Sequence, residues 1–126
     1  SVQHSLALKD PRTGKTRRLL LFNRHVDFIW APNGNSFVIT DWYGSDFARV
    51  WLGSSKDASP LKELDPSSPE TKHNHHVYVE ALRWQDSRTV LLKVTGYGDH
   101  DPNGFEKYYE ADLAGQLRSV KQSLAK

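Results

Sequence analysis

The sequence predicts an all-β domain built of antiparallel sheets. Three observations carry this. Short runs rich in Val, Ile, Phe, Trp and Thr recur along the whole chain. Pairs of these runs flank compact turn signals such as Pro32-Asn33-Gly34. Helical character is confined to one turn at residues 60–64 and to residues 119–126.

Taken in order, residues 5–8 and 16–22 form a first hairpin across the polar segment 9–15, which holds Asp10-Pro11 and Gly14. Residues 26–30 and 36–42 form a second, because Asn-Gly supplies the positive φ that a tight turn needs. Residues 47–52 alternate as a further strand. Residues 53–74, with Pro60, Pro66, Pro69 and many Ser, read as one long surface loop. Residues 77–84 and 89–95 flank Gln85-Asp86-Ser87-Arg88 as a third hairpin. Residues 106–113 lead through Ala114-Gly115 to 116–121.

The chain of 126 residues is one domain by length, 1–126. Hydrophobic residues make up 37%, and four Trp, five Tyr and five Phe are enough to bury a real core. The formal net charge is +2, with the densest basic cluster at Lys15, Arg17 and Arg18, which is too sparse a stripe to predict nucleic acid as a partner. The absence of Cys excludes disulfides and thiol chemistry. The longest aliphatic-aromatic run, 19–22, excludes helical membrane insertion. The chain has no Met and begins at Ser1, so a leader or a longer protein is expected before it.

Two units repeat. Trp30-Ala31-Pro32-Asn33-Gly34-Asn35-Ser36-Phe37 aligns with Trp84-Gln85-Asp86-Ser87-Arg88-Thr89-Val90, about 53 residues on, giving repeats at about 24–64 and 75–121. The first copy resembles the W-S-P-D-G turn of TolB-like β-propeller repeats. The segments 7–15 and 109–117 resemble the outer-hairpin patterns of the same family, D-x-x-[ST]-G-K and D-L-x-G-x-L. The resemblance implies blade-like sheets. Propellers close with four or more blades, and this chain holds two plus a leading hairpin. The expectation is a partial propeller or small β-sandwich, standing alone, cut from a longer propeller, or closed by self-association. In the repeat, Trp30 and Trp84 are expected in the core.

Asp99-His100-Asp101-Pro102-Asn103-Gly104, followed by Glu110, fits D-x-[DN]-x-[DN]-G-x5-E, the calcium loop of EF-hand proteins. The expected ligands of a structural Ca2+ are Asp99, Asp101, Asn103, the carbonyl of Phe105, and a closing carboxylate. That carboxylate is Glu110 if the next strand starts near Tyr108, or Glu106 if it starts at Phe105, because a strand carries Glu110 roughly 16 Å from the loop. The competing reading is a plain hairpin turn whose side chains cap backbone N–H groups.

His73-Asn74-His75-His76 offers His73 and His75 on one face of a strand, a candidate metal pair without an evident third ligand. Gly14-Lys15-Thr16 lacks the earlier Gly of a phosphate loop, and Asp41 and Asp46 form an acidic pair beside a turn. Trp42 and Tyr43, with Tyr97 and His100, fall on glycine-flanked loops at equivalent repeat positions and are expected to contact a protein partner.

The expected function is that of a non-enzymatic, periplasmic or secreted binding module of inhibitor or immunity type. In repeat style and metal loop it is similar to calcium-bearing propeller-like inhibitors of bacterial cell-wall hydrolases. The alternatives are a fragment of a larger β-propeller accessory to a peptidase-like catalytic domain, and a hydrolase with an acidic site.

Overall fold

The computed structural model describes residues 3–122. Two strands, β1 (His4–Lys9) and β2 (Thr16–Phe22), form a separate antiparallel hairpin. The larger sheet begins with β3 (His25–Trp30), β4 (Ser36–Trp42), β5 (Phe47–Ser54) and the short β6 (Lys62–Glu63). A single helical turn, α1 (Pro69–His73), leads to β7 (His76–Asp86), β8 (Thr89–Tyr97), β9 (Phe105–Asp112) and β10 (Leu117–Val120). Each group of four is an antiparallel meander, and the sheet runs β10-β9-β8-β7-β5-β4-β3 with β6 beside β5. The all-β expectation holds, and residues 119 and 120 belong to β10. The helical character expected beyond residue 122 lies outside the described residues.

The hairpins follow from their turns. Gly34, at φ 73°, closes the β3–β4 turn with its N–H on the Ala31 carbonyl. Asp86 pairs with Thr89, leaving Ser87 and Arg88 as a two-residue loop. The helix expected at 60–64 is displaced. Leu64 is fully buried in the core and its N–H donates to the Val50 carbonyl, so this segment runs extended as β6. The helical turn starts instead where Ser68 caps the Thr71 N–H and Pro69 occupies the first turn.

One core spans both meanders. Val38, Val50, Leu52 and Leu64 from the first pack with Val79, Ala81, Val90, Leu92, Val94, Tyr109 and Ala111 from the second. β4 is buried on both faces, Val38 turning to this core. Behind it Phe37 stacks on Phe28 at 4.8 Å, with Trp30 edge-on to both. The two tryptophans part company here. Trp84 is half-buried and donates its indole N–H to the Ile29 carbonyl at 3.0 Å, whereas Trp30 is 45% exposed. Core placement of Trp30 is therefore corrected: its ring meets Phe28 and Phe37 edge-on and the residue stays exposed.

Between the meanders, only Phe47↔Val77 and Ala48↔Tyr78 pair, in parallel. Polar bonds reinforce this seam. The Val77 N–H reaches the Asp46 carbonyl, the Tyr78 hydroxyl reaches the Ser45 carbonyl, and the buried Ala81 N–H donates to Thr40 Oγ1 at 3.1 Å. Thr40→Val keeps the shape and removes the acceptor, so its urea-denaturation free energy is expected to fall by about 1–3 kcal/mol. Thr40→Ser, which retains the hydroxyl, is expected to lose less.

Candidate functional site

Six strand termini meet at one end of the large sheet. β4 ends at Trp42 opposite His25 at the start of β3, and β5 begins at Phe47 beside Val77. β7 begins at His76 opposite Tyr97 at the end of β8, and Gly96 faces Phe105 at the start of β9. Registry alone thus gathers the expected contact residues Trp42, Tyr43 and Tyr97, together with His100 in the following loop.

The rings at this end are held in pairs. Tyr43 stacks on Phe47 at 4.8 Å, and the Arg49 guanidinium lies 5.2 Å and 4.8 Å from the two ring centroids. Tyr97 stacks on His76 at 4.3 Å. Despite these contacts Tyr43 and Tyr97 remain 46% and 47% exposed. Trp42 is half-buried and donates its N–H to Asp27 Oδ2 at 3.0 Å, while the other Asp27 oxygen meets His25 Nε2 at 2.9 Å. Burial, with Tyr97 and Asp46 nearby, pushes the Tyr78 phenol above its ordinary range. Glycine is required at position 96, where a Cβ would collide with the His76 carbonyl oxygen and lie 3.0 Å from the Phe105 ring.

Histidines and carboxylates alternate over the same end. His75 Nε2 lies 3.1 Å from Asp99 Oδ2, His76 Nδ1 lies 3.4 Å from Asp46 Oδ1, and His100 Nδ1 lies 2.8 Å from Asp101 Oδ2. His73 ends α1 and its ring faces His100 at 6.1 Å, so the expected strand pairing of His73 with His75 is replaced by helix geometry. The acidic pair separates as well. Asp46 is exposed against His76, while Asp41 is buried beside Arg49 with Oδ1 lacking a partner. Burial raises the Asp41 carboxyl and Arg49 opposes that shift.

The Asp99–Gly104 loop is organised by Asn74. Its Oδ1 accepts the Asp101 N–H at 3.0 Å, and its Nδ2 donates to Asp101 Oδ2 at 3.0 Å and to the Glu70 carbonyl at 2.8 Å. Gly98 and Gly104 both donate to the Asp101 carbonyl, and Gly104 adopts φ 92°. Glu70, itself buried, forms an ion pair with Lys107 of β9, so α1 is bound to both ends of the loop. Asn74, Phe47 and Arg49 were not identified from sequence. The Ser68-Pro69-Glu70 helix start is the signal that would have located Asn74 at a helix end.

Of the five donors expected for calcium, neither candidate for the closing carboxylate, Glu110 or Glu106, is free of other partners. Asp99, Asp101 and Asn103 sit in the loop, and Phe105 opens β9. Glu106 is engaged by the Tyr108 hydroxyl at 2.8 Å, Gln122 Nε2 at 3.0 Å and Lys93 at 3.8 Å. Glu110 is paired with Arg118, five residues and roughly 16 Å along β9 from Phe105. Among the described residues no three His, Asp or Glu side chains are grouped to hold a metal ion. The strand begins at Phe105, which removes Glu110, and Asp101 Oδ2 already takes His100 and Asn74. The oxygens that remain in or beside the loop are those of Asp99, Asp101, Asn103 and the Phe105 carbonyl.

Comparison with known protein families, characterised proteins and solved structures finds no match to the chain. Among the described residues no helix is long and apolar enough to cross a membrane.

Two outcomes follow from this loop. Melting temperature in excess calcium and in chelator tests the expected site: a rise with calcium supports calcium in this loop, and identical curves count against it. The hydrogen bond from His100, then that from Asn74, holds the Asp101 carboxyl below its ordinary range. A depressed folded value means that the loop's anchoring is complete above the ordinary carboxylate range and is lost as pH falls through the folded value. NMR titration of Asp101 is expected to show its midpoint moving upward in Asn74→Ala.

Proposed function

We propose that this chain is a non-enzymatic binding module that presents the Tyr43–Tyr97 end of its sheet to a protein partner. The observation that carries this reading is that both exposed tyrosines already pack on a neighbouring ring, one on Phe47 beneath Arg49 and the other on His76. Tyrosines with settled rotamers contribute large contact area while losing little further entropy on binding. His75, Asp99 and His100 add polar groups around them, as a rim does around an aromatic centre. The action that fits is steric: segments 42–47 and 97–104 cover or enter a partner's cleft, in the manner of an extracytoplasmic inhibitor or immunity-type protein.

A second reading, an accessory unit of a larger propeller, is favoured by the exposure of Trp30. Such a unit would be covered there by a further sheet.

The test is capture from a native periplasmic or secreted extract, identification of the captured protein, and binary titration. Tyr43→Ala and Tyr97→Ala are each expected to weaken that pair by about 2 kcal/mol or more. Equal affinity of both variants with wild type would sink the proposed surface. A captured polypeptide rich in further β repeats, unaffected by these changes, would favour the second reading.

A further inference from the structure

Positive charge is unevenly distributed along the chain. Residues 1–24 hold six Lys and Arg against one Asp, while residues 25–126 hold eleven against fourteen acidic residues. The fold concentrates this excess at the end of β3 remote from the tyrosines. There the β1–β2 hairpin and the first meander enclose an open cleft of about 820 Å³ lined by Lys9, Arg12, Lys15, Arg17 and Lys56, with Trp30 among them.

Two hydrogen bonds join the walls of the cleft. Arg17, on β2, donates Nη2 to the Ser54 carbonyl at 2.7 Å and Nη1 to the Asp57 carbonyl, tying the hairpin to the segment that follows β5. The Trp30 ring is propped edge-on by Phe28 at 5.0 Å and Phe37 at 5.6 Å, and 45% of the residue stays exposed. Asp10, the one acid in the lining, is consumed in its own turn, accepting the Arg12 N–H at 2.9 Å and lying 3.6 Å from the Arg12 guanidinium. Lys9, Lys15 and Lys56 have no ion-pair partner among the described residues.

We infer that this cleft binds an acidic oligosaccharide, with one sugar ring lying on Trp30 and its sulfate or carboxylate groups reaching the lysines. Uncompensated cations on both walls call for repeated negative charge. Carboxylates, the strongest acceptors for the hydroxyls of neutral sugars, are limited to Asp10 in this lining. A single aromatic ring in the lining argues against single-stranded nucleic acid, whose grooves stack successive bases on several rings. Lysine supplies point charges on flexible stems, which suits varied sulfate or carboxylate positions better than bidentate recognition. The inference is independent of the tyrosine end.

The experiment is isothermal titration calorimetry of the whole chain with a sulfated oligosaccharide, an oligogalacturonate carrying carboxylates alone, and an oligothymidylate. Binding of either acidic sugar is expected, and the tighter of the two identifies the group recognised. Combined Lys9→Ala, Lys15→Ala and Lys56→Ala changes are expected to weaken it about tenfold. Trp30→Leu leaves the charge unchanged and keeps an apolar contact with Phe28 and Phe37, and it is expected to cost about fivefold through the lost ring face. Circular dichroism of each variant checks its fold. The inference is overturned if neither sugar binds, if the oligothymidylate binds more tightly, or if Trp30→Leu retains wild-type affinity.

Discussion

β5 holds the two halves of the molecule on a single edge. Its first residues pair with β7, and by Trp51 and Leu52 the same edge has passed to β6. Two parallel residue pairs are a slender ladder for a join of this kind. The load is shared by a core that ignores the boundary, with Val50 and Leu52 of β5 in one cluster with Leu92 and Tyr109. Burial is proportional to apolar area and indifferent to direction, so it sets only that the halves meet. Their registry is set by the polar groups that must find partners once dry. Thr40 accepts from Ala81 and Ile29 accepts from Trp84, and sliding either half would strand a buried donor.

How much of this was legible in the sequence depended on range. The hairpins were readable because Pro32-Asn33-Gly34 and the two residues between Asp86 and Thr89 determine their turns locally. Leu61 to Leu64 has helix-forming composition, but Leu64 fills a core position that only an extended segment reaches. The calcium pattern matched residue types at the right intervals, yet those intervals presuppose a helix after the loop. The same spacing on a strand sends Glu110 to Arg118 instead. Trp30 and Trp84 occupy similar sequence settings, and what separates them is which neighbour arrives, a tertiary fact. The helix start at Ser68-Pro69-Glu70 hints at Asn74 as a helix end, but its bonds to Asp101, 27 residues away, are a tertiary fact.

The molecule is also polarised along β3. At one end His25 and Trp42 converge on Asp27 beneath a surface of stacked rings and His–Asp pairs. At the other, Trp30 faces a cleft whose cations outnumber its acids. The buried Asp41 lies one residue inside the first end, next to Arg49, whose guanidinium also lies over Tyr43 and Phe47. Exposed rings and buried charge are coupled there through one side chain.

Gly96 separates the parts of the tyrosine end that can vary from those that cannot. Any side chain there would collide with the backbone of β7, and no rotamer change moves a carbonyl aside. Tyr97, its neighbour, projects outward and owes the fold little beyond a stack on His76. Tyr43 stands in the same position relative to Phe47. On the proposed reading, partner choice can drift by substitution at the exposed rings while the frame beneath them is inherited unchanged. A library randomised at positions 43, 97 and 100, with 96 held as glycine, would sample new specificities on one constant scaffold.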